Sequence, residues 1–254
     1  DVDQTVRGGI GYGGGEFTVR GGIVYFAGKN GRLYRVPVTG GRAKAITPAF
    51  GACASPCVSP DGRWVVYVHH YEGTDGLALV DANGRQFPRK LAYGTDFVMQ
   101  PAWSPDGTQI AYVTWNFPNM PWDSTQIHLL TLAIDPLGVP YEQNSTVIIG
   151  GGDFAVMQPE FSPDGKKLAY ASDESGWWQV YTRDLASGEH TQITTELVEH
   201  GVPVWRQGVR VYGWDGNSAL VYERNAPGGV WSLWRVDLTS GTHTQIEGLD
   251  EYTN

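Results

Sequence analysis

Cysteine is nearly absent from this sequence, with only Cys53 and Cys57 among its 254 residues. Two thiols are too few for a disulfide framework, and without a neighbouring pair of histidines they do not make a zinc site. We expect both to be small buried thiols in a loop that precedes a strand. The sequence therefore predicts no metal and no other cofactor.

Long apolar runs and clusters of basic residues are missing as well. No segment approaches the roughly 20 apolar residues of a membrane-spanning helix, so we expect no membrane partner. The formal net charge is -9, from 27 acidic and 18 basic residues, and phosphate neutralisation needs clustered lysine and arginine. We therefore expect no nucleic-acid partner. Without a recognisable signal peptide we predict a cytoplasmic location, and since Asp1 is no natural start we expect the chain to derive from a longer one.

The sequence also lacks the Gly-x-Ser-x-Gly frame that places a catalytic serine on a strained strand-to-helix turn. Ser187 and Ser240 are each followed by a glycine, but neither has a glycine two residues before it. No segment reads as the long amphipathic helices that an α/β-hydrolase domain needs. We expect no catalytic residue in this chain, which should be inactive alone.

Glycine and proline, by contrast, are abundant, with 34 and 15 copies spread at regular intervals. This distribution is typical of many short strands joined by tight turns. The tetrapeptide Ser-Pro-Asp-Gly occurs at 59–62, 104–107 and 162–165, each time with a proline three residues before the serine. Proline presets φ at the first central turn position and glycine accepts a positive φ. The tetrapeptide is therefore predicted to be a hairpin turn and not a chemical site.

The tetrapeptide also marks a repeat. A degenerate copy follows Pro203, in which Gly208 is the only residue of the tetrapeptide, and a partial match begins at Gly22. These anchors lie 40 to 58 residues apart, the range of a four-stranded propeller blade. We predict an all-β fold, a β-propeller of five four-stranded blades in one domain over 1–254, with repeats near 11–50, 51–95, 96–152, 153–198 and 199–250. A closed five-bladed ring and part of a seven-bladed ring both stay open.

The strands can be placed from apolar and β-branched runs between turn residues. In the fourth repeat we predict strands over 157–161, 167–172, 178–185 and 189–194. The third repeat is longer than its neighbour by 13 residues, which fall around 115–125 and 135–145. Long insertions in a repeat protein form loops on one face, often the binding face. We therefore place the functional surface there.

Three segments resemble a known family: WNFPNMPWD at 115–123, MQPEFSPDG at 157–165 and SGWW at 175–178. They are similar to the propeller of bacterial acylaminoacyl-peptidase or dipeptidyl-aminopeptidase-like enzymes, within the prolyl oligopeptidase family of serine peptidases. The segment YGGG at 12–15 is similar too, with Gly11 where that family usually has a glutamate. The resemblance implies a non-catalytic propeller that gates short peptides toward a partner α/β-hydrolase domain, which this chain lacks. It also makes residues 1–11 the tail of a preceding blade and 251–254 the start of a following one.

Candidate gating residues are those that depart from the repeat. Trp115, Asn119, Trp122 and Asp123 belong to the inserted loop, which we expect to share one channel mouth with the segments leading into the innermost strands. His69, His70 and Glu72 follow the second strand of the second repeat, where adjacent histidines should point to opposite faces. Glu160 should face away from the neighbouring aromatic residue and line the channel or cap a backbone group. The acidic surplus could draw a peptide ammonium to the mouth.

Two alternatives remain. Ser-Pro-Asp-Gly is shared with TolB-type propellers, so the chain could be a module that binds a protein partner at its channel mouth. A five-bladed propeller could also be a glycosidase with paired carboxylates. This second alternative is weaker, because the sialidase Asp-box has a residue between its aspartate and glycine whereas Ser-Pro-Asp-Gly has none.

Overall fold

A computed structural model describes residues 5–11 and 13–248 of the protein. In this part of the chain twenty strands form five antiparallel sheets of four strands. The first blade is β1 (Phe17–Arg20), β2 (Ile23–Ala27), β3 (Leu33–Pro37) and β4 (Lys44–Ala45). The second is β5 (Ala52–Val58), β6 (Trp64–Tyr71), β7 (Thr74–Asp81) and β8 (Arg89–Ala92). The third is β9 (Phe97–Trp103), β10 (Gln109–Trp115), β11 (Gln126–Ile134) and β12 (Pro140–Gly150). The fourth is β13 (Val156–Phe161), β14 (Lys167–Ser172), β15 (Gln179–Asp184) and β16 (His190–Gln192). The fifth is β17 (Tyr212–Trp214), β18 (Ala219–Ala226), β19 (Val230–Asp237) and β20 (Thr242–Gln245).

The order of strands in every sheet follows the chain, and the core lies between neighbouring blades. The all-β fold with five four-stranded blades is thereby confirmed. In the fourth blade, β14 has the predicted bounds, β13 begins one residue earlier, and β15 and β16 are shorter than predicted. Over the described residues, no helix has the length and apolar character to span a membrane.

The Ser-Pro-Asp-Gly segments are hairpins, as predicted. In the copy between β13 and β14, Gly165 has φ +70° and its N–H donates to the Ser162 carbonyl at 2.8 Å. The buried Ser162 hydroxyl donates to Asp164 at 2.7 Å and accepts the Lys167 N–H at 2.9 Å. Hydrogen bonds from Ser162 and from the Lys166 backbone lower the pKa of Asp164. The serine and aspartate therefore fix the turn and start the next strand.

The predicted register of the fifth repeat is wrong. The hairpin of this blade joins β17 to β18 at Asp215 and Gly216, where Gly216 has φ +68° and the Asp215 N–H donates to the Ala219 carbonyl at 2.9 Å. Gly208 packs against Gly15 instead. The anchor was misplaced because the segment after Pro203 leaves the blade pattern before β17 begins.

Two smaller predictions also need correction. Cys53 and Cys57 lie on β5 itself and not in a loop before a strand, and burial raises the pKa of Cys57 to about 11. The second part of the insertion, 135–145, is mostly strand: a turn closes where the Gly138 N–H donates to the Asp135 carbonyl, and β12 begins at Pro140. Only the first part is a long loop.

Glu223 on β18 makes the stability of the fifth blade depend on pH. Burial raises the pKa of Glu223 from 4.5 to about 7. Between these values the folded chain holds the proton that the unfolded chain releases, so the free energy of unfolding should fall as pH rises through this window. We expect Glu223→Gln to flatten that fall in urea unfolding followed from about pH 4.5 to pH 7. Glu189→Gln, at an exposed turn, should keep the wild-type slope, and a wild-type slope in Glu223→Gln would contradict the assignment.

Candidate functional site

The innermost strands of three blades share an unusual backbone position. Ser55, Gln100 and Gln158 have φ of +49°, +52° and +52°, and each precedes a proline of the repeat. Left-handed φ is uncommon for residues other than glycine. In all three strands the pairing register shifts at this point. A bulge therefore re-aims one polar side chain per blade at the same level of the channel.

These side chains form a layer of hydrogen bonds, which we call the amide layer: Ser55, Gln100, Gln158 and Gln207. The Gln100 amide donates to the Val209 carbonyl at 2.9 Å and accepts the Gln158 N–H at 2.7 Å. The Gln158 amide donates to the Tyr212 carbonyl and accepts the Val211 N–H, both at 2.7 Å. Both ends of each amide are satisfied, so the layer links the third, fourth and fifth blades.

Gln207 completes the layer from the segment that precedes the fifth blade. Its side chain donates to the Val98 carbonyl at 2.9 Å and accepts from the Ser55 hydroxyl at 2.8 Å. Its N–H donates to the Gly13 carbonyl at 3.0 Å. One residue thus contacts the lead-in of the first blade and the innermost strands of the second and third.

The amide layer separates two axial cavities. The larger, of about 580 Å³, opens toward the Ser-Pro-Asp-Gly hairpins and is lined by Ser55, Gln100 and Gln158. The smaller, of about 310 Å³, opens toward the lead-in segments of the innermost strands and is lined by Gln207. We call them the hairpin-side and loop-side cavities.

Aromatic side chains dominate the loop-side cavity. The Trp115 and Phe97 rings stack with centroids 5.0 Å apart and 17° between their planes. The rest of the wall comes from Phe117 and Trp122 of the inserted loop and from Trp205 of the segment that precedes β17. Phe117 is 79% exposed and Trp122 38% exposed. Large exposed aromatic groups around a concave apolar surface are typical of a binding site.

The inserted loop is held in place by short polar contacts. Asp96, which leads into β9, accepts the Phe117 N–H at 2.9 Å, and its own N–H donates to the Asn116 side chain at 2.8 Å. Asp123 accepts the Met120 N–H at 2.8 Å. Asp123 therefore closes the loop on itself and does not line the loop-side cavity, whereas Asn119 does.

His70 and Asp75 supply polar groups at the edge of this cavity. His70 Nδ1 lies 2.7 Å from the Asp75 carboxylate, which is 3% exposed, whereas the His70 side chain is 41% exposed. Burial raises the pKa of Asp75, and the hydrogen bond with His70 opposes that rise. The buried carboxylate orients the imidazole, so that His70 is the side chain of the pair that a bound molecule can reach.

The other predicted site residues lie elsewhere. His69 and His70 lie on β6 itself and not, as predicted, after it. His69 points to the opposite face of β6 from His70, into the cleft between the first and second blades. Glu72 sits in the exposed β6–β7 turn with φ +52°. Glu160 lines the hairpin-side cavity and pairs with Arg210 at 2.5 Å, and burial raises its pKa while Arg210 opposes the rise. The loop-side cavity thus brings together Trp115, Asn119, Trp122 and His70.

Known families and structures relate this geometry to other proteins. The sequence model of the PD40 family, described as the TolB beta propeller domain, matches residues 77–246. The chain belongs to this family.

Relatives of this PD40 propeller include a peptidase and a TolB protein. Dipeptidyl-peptidase 5 of Porphyromonas gingivalis is 26% identical over 210 residues, which cover 76% of this chain and 28% of that protein. The Protein TolB homolog of Chlorobium luteolum is 26% identical over 169 residues, which cover 66% of this chain and 35% of that protein. The chain therefore spans about a third of the length of these relatives.

Solved structures show the same two relationships. The crystal structure of puromycin hydrolase superposes with a TM-score of 0.83 at 26% identity and covers 98% of this chain and 41% of that one. TolB from Acinetobacter baumannii superposes with a TM-score of 0.62 at 16% identity over 88% of this chain and 52% of that one, a likeness of fold alone. This PD40 propeller is thus related both to propellers of peptidases and to TolB.

Several residues of the PD40 propeller's cavity were not predicted from the sequence. Asp75 has one available signal, a carboxylate at the start of β7 that comes shortly after a histidine pair. Gln207 lies in the repeat copy whose register was misplaced. Tyr12 of the predicted YGGG segment, residues 1–4 of the predicted preceding blade and residues 251–254 of the predicted following blade lie outside the described residues. In the described ranges, no three histidine, cysteine, aspartate or glutamate side chains are grouped to hold a metal ion.

Proposed function

We propose that this PD40 propeller is the non-catalytic, substrate-gating part of a serine peptidase that acts on short peptides, with an α/β-hydrolase domain as its partner in the parent protein. Its similarity to dipeptidyl-peptidase 5 and puromycin hydrolase supports the reaction class. The observation that carries the proposal is the aromatic loop-side cavity at the channel mouth. A cytoplasmic location stays a prediction.

Gating in this proposal is steric. A cavity of about 310 Å³ lies at the small end of the range for ligand sites, so it accepts one or two side chains and excludes a folded chain. Because the amide layer lies between the two axial cavities, a peptide enters and leaves by the same mouth. In this proposal, capture at one mouth takes the place of passage through a channel. Trp115 and Trp122 supply apolar contact, and His70 and Asn119 supply polar contacts to the peptide backbone.

Peptide capture can be measured on this chain directly. We expect the dipeptide Phe-Gly to bind saturably in calorimetric titration and Gly-Gly to bind at least several-fold more weakly, because only the former buries an aromatic ring. Trp122→Ala should weaken Phe-Gly binding by about tenfold, since a desolvated aromatic contact is worth about 1 kcal/mol or more. Trp177→Ala is the matched control: Trp177 is 37% exposed against 38% for Trp122 but lies outside the cavity. Absence of binding at millimolar Phe-Gly, or equal losses in both variants, would contradict the proposal.

A TolB-like module that binds a protein partner is the second candidate. The PD40 match and the TolB relatives support it, as do Phe117 and Trp205, which stand exposed at the rim of the loop-side cavity. Peptide length separates the two functions. A gate should bind Phe-Gly as well as it binds a peptide of about 12 residues that begins with Phe-Gly, whereas a docking surface gains affinity with contact area. A gain of tenfold or more with length would favour the TolB-like function.

Paired carboxylates give no comparable support to the glycosidase alternative. Glycosidases place two carboxyl groups roughly 5 to 10 Å apart on either side of the scissile bond. Here Asp75 lies at the loop-side cavity and Glu160 at the hairpin-side cavity, with the amide layer between them. We therefore do not propose a glycosidase activity.

A further inference from the structure

A third cavity, of about 500 Å³, lies in the cleft between the first and second blades. Its walls come from the connection between β4 and β5, from β6, and from the segment 87–93 around β8. It shares no lining residue with either axial cavity. The two sites are therefore formed by different side chains, with the adjacent His69 and His70 contributing one to each.

One wall is an ordered group of aromatic and imidazole rings. His69 Nε2 lies 3.0 Å from the Phe50 carbonyl oxygen, which can only accept, so Nε2 carries a hydrogen. His69 Nδ1 lies 3.0 Å from the Tyr93 hydroxyl. The Phe50 ring stacks on His69 with centroids 5.8 Å apart. Both imidazole nitrogens are thus engaged, and His69 holds the Phe50 ring, which also stacks on Tyr71 with centroids 4.2 Å apart.

Two glycines make room for these rings. A Cβ added at Gly51 would lie 2.9 Å from His69 Nε2, and one added at Gly76 would lie 2.5 Å from the Tyr93 ring. Such approaches require something to shift. The rings are therefore packed against bare backbone, which keeps the wall flat and fixed before any molecule binds.

The rim carries positive charge and one bare aromatic ring. Of the described residues that line the cavity, none is acidic, although the whole chain has a net charge of -9. Lys90 Nζ lies 4.6 Å from the centroid of the Tyr93 ring, and Arg89 is paired with Asp135 at 2.7 Å. Phe87 is 84% exposed at the edge. The cavity thus offers the exposed Phe87 ring and the exposed part of Phe50 beside an ammonium group.

The geometry points to a second binding site in this cleft, for a small planar aromatic molecule that carries a carboxylate. The aromatic ring of the ligand packs between the exposed part of Phe50 and the Phe87 ring, and its carboxylate meets the Lys90 ammonium. Arg89 contributes less, because Asp135 already neutralises it. Ring and charge are both needed, so a neutral or cationic analogue of the same size binds more weakly.

The test is a titration of the full chain with matched probes. We expect 3-phenylpropionate to bind saturably with a dissociation constant in the millimolar range, and 3-phenylpropylamine, which differs in the sign of its charge, to bind at least fivefold more weakly. Lys90→Gln should weaken 3-phenylpropionate binding by about threefold to tenfold, as expected for the loss of a partly exposed ion pair. Phe87→Ala should weaken both probes by a similar factor.

Arg85→Gln is the control, because Arg85 is an exposed positive charge in the loop that leads into β8, the strand of Lys90, and does not line the cavity. It should change 3-phenylpropionate binding by less than about twofold. The proposal is overturned if the acid fails to saturate at about 20 mM, if the amine binds equally well, or if Lys90→Gln and Arg85→Gln have the same effect. Both variants are at the surface, so a circular dichroism spectrum like that of the wild type is expected for each.

Discussion

Gly14→Ala is expected to lower the free energy of unfolding by about 3 kcal/mol or more, because two penalties combine at this position. Gly14 has φ +87°, a left-handed conformation that residues with a Cβ rarely adopt. Gly14 forms an isolated parallel bridge with Gln207. A Cβ on Gly14 would therefore also collide with the Gln207 carbonyl oxygen. The collision is with backbone, so no side-chain rotation relieves it. Urea unfolding followed by tryptophan fluorescence measures the loss.

Gly176→Ala is the control for the backbone penalty alone. Gly176 also has φ +87°, but an added Cβ would meet nothing within 4 Å. We expect it to cost about 1 to 2 kcal/mol. Equal losses in the two variants would mean that the segment at Gln207 moves aside freely, and that its contact with Gly14 does not hold the first blade to the segment before the fifth.

Much of the fold could be predicted because the repeat consists of residues that fix the backbone conformation locally. Ser162, Asp164 and Gly165 make one hairpin almost entirely among themselves, so the turn can be read wherever the tetrapeptide occurs. The fifth hairpin, at Asp215 and Gly216, lacks the serine and proline. The sequence pattern there pointed to Gly208. This residue lacks a side chain because its backbone lies close to Gly15, and it does not form a turn between strands.

The candidate site was predictable only where it departs from the repeat. Trp122 stands out because the other blades have no loop of this length, and Trp115, predicted as part of that loop, is the last residue of β10 that leads into it. Gln158 and Gln207 carry no such signal, since a glutamine is ordinarily exposed. Gln158 is buried because a bulge of β13 turns its amide toward partners more than 50 residues away in sequence. Gln207, in the segment before β17, is buried because its amide meets partners 109 and 152 residues away. Pairings of this kind arise only once the blades are assembled.

Gln158→Ala is expected to be nearly as destabilising as Gly14→Ala. The Gln158 side chain is the partner of the Val211 N–H and of the Tyr212 carbonyl, both at 2.7 Å, and the residue is 3% exposed. Truncation leaves these two buried backbone groups unpaired, at about 1 to 3 kcal/mol each. We therefore expect a loss of about 3 kcal/mol in the free energy of unfolding, measured by urea titration. Alanine and glutamine must both adopt the same left-handed backbone conformation at this position. The loss in the free energy of unfolding therefore comes from the missing amide group.

Gln192→Ala is the control for Gln158→Ala, because it removes an amide group that is exposed instead of buried. Gln192 donates to the Thr194 carbonyl at 2.9 Å but lies exposed on β16, and its truncation should cost less than about 0.5 kcal/mol because water replaces the contact.

A second readout tests whether the amide layer joins the fifth blade to the fourth. Amide hydrogen exchange in Gln158→Ala should accelerate first at β17, before β13 and β14 are affected. If exchange instead accelerates uniformly, or if Gln158→Ala is as mild as Gln192→Ala, the amide layer does not hold the fifth blade to the fourth.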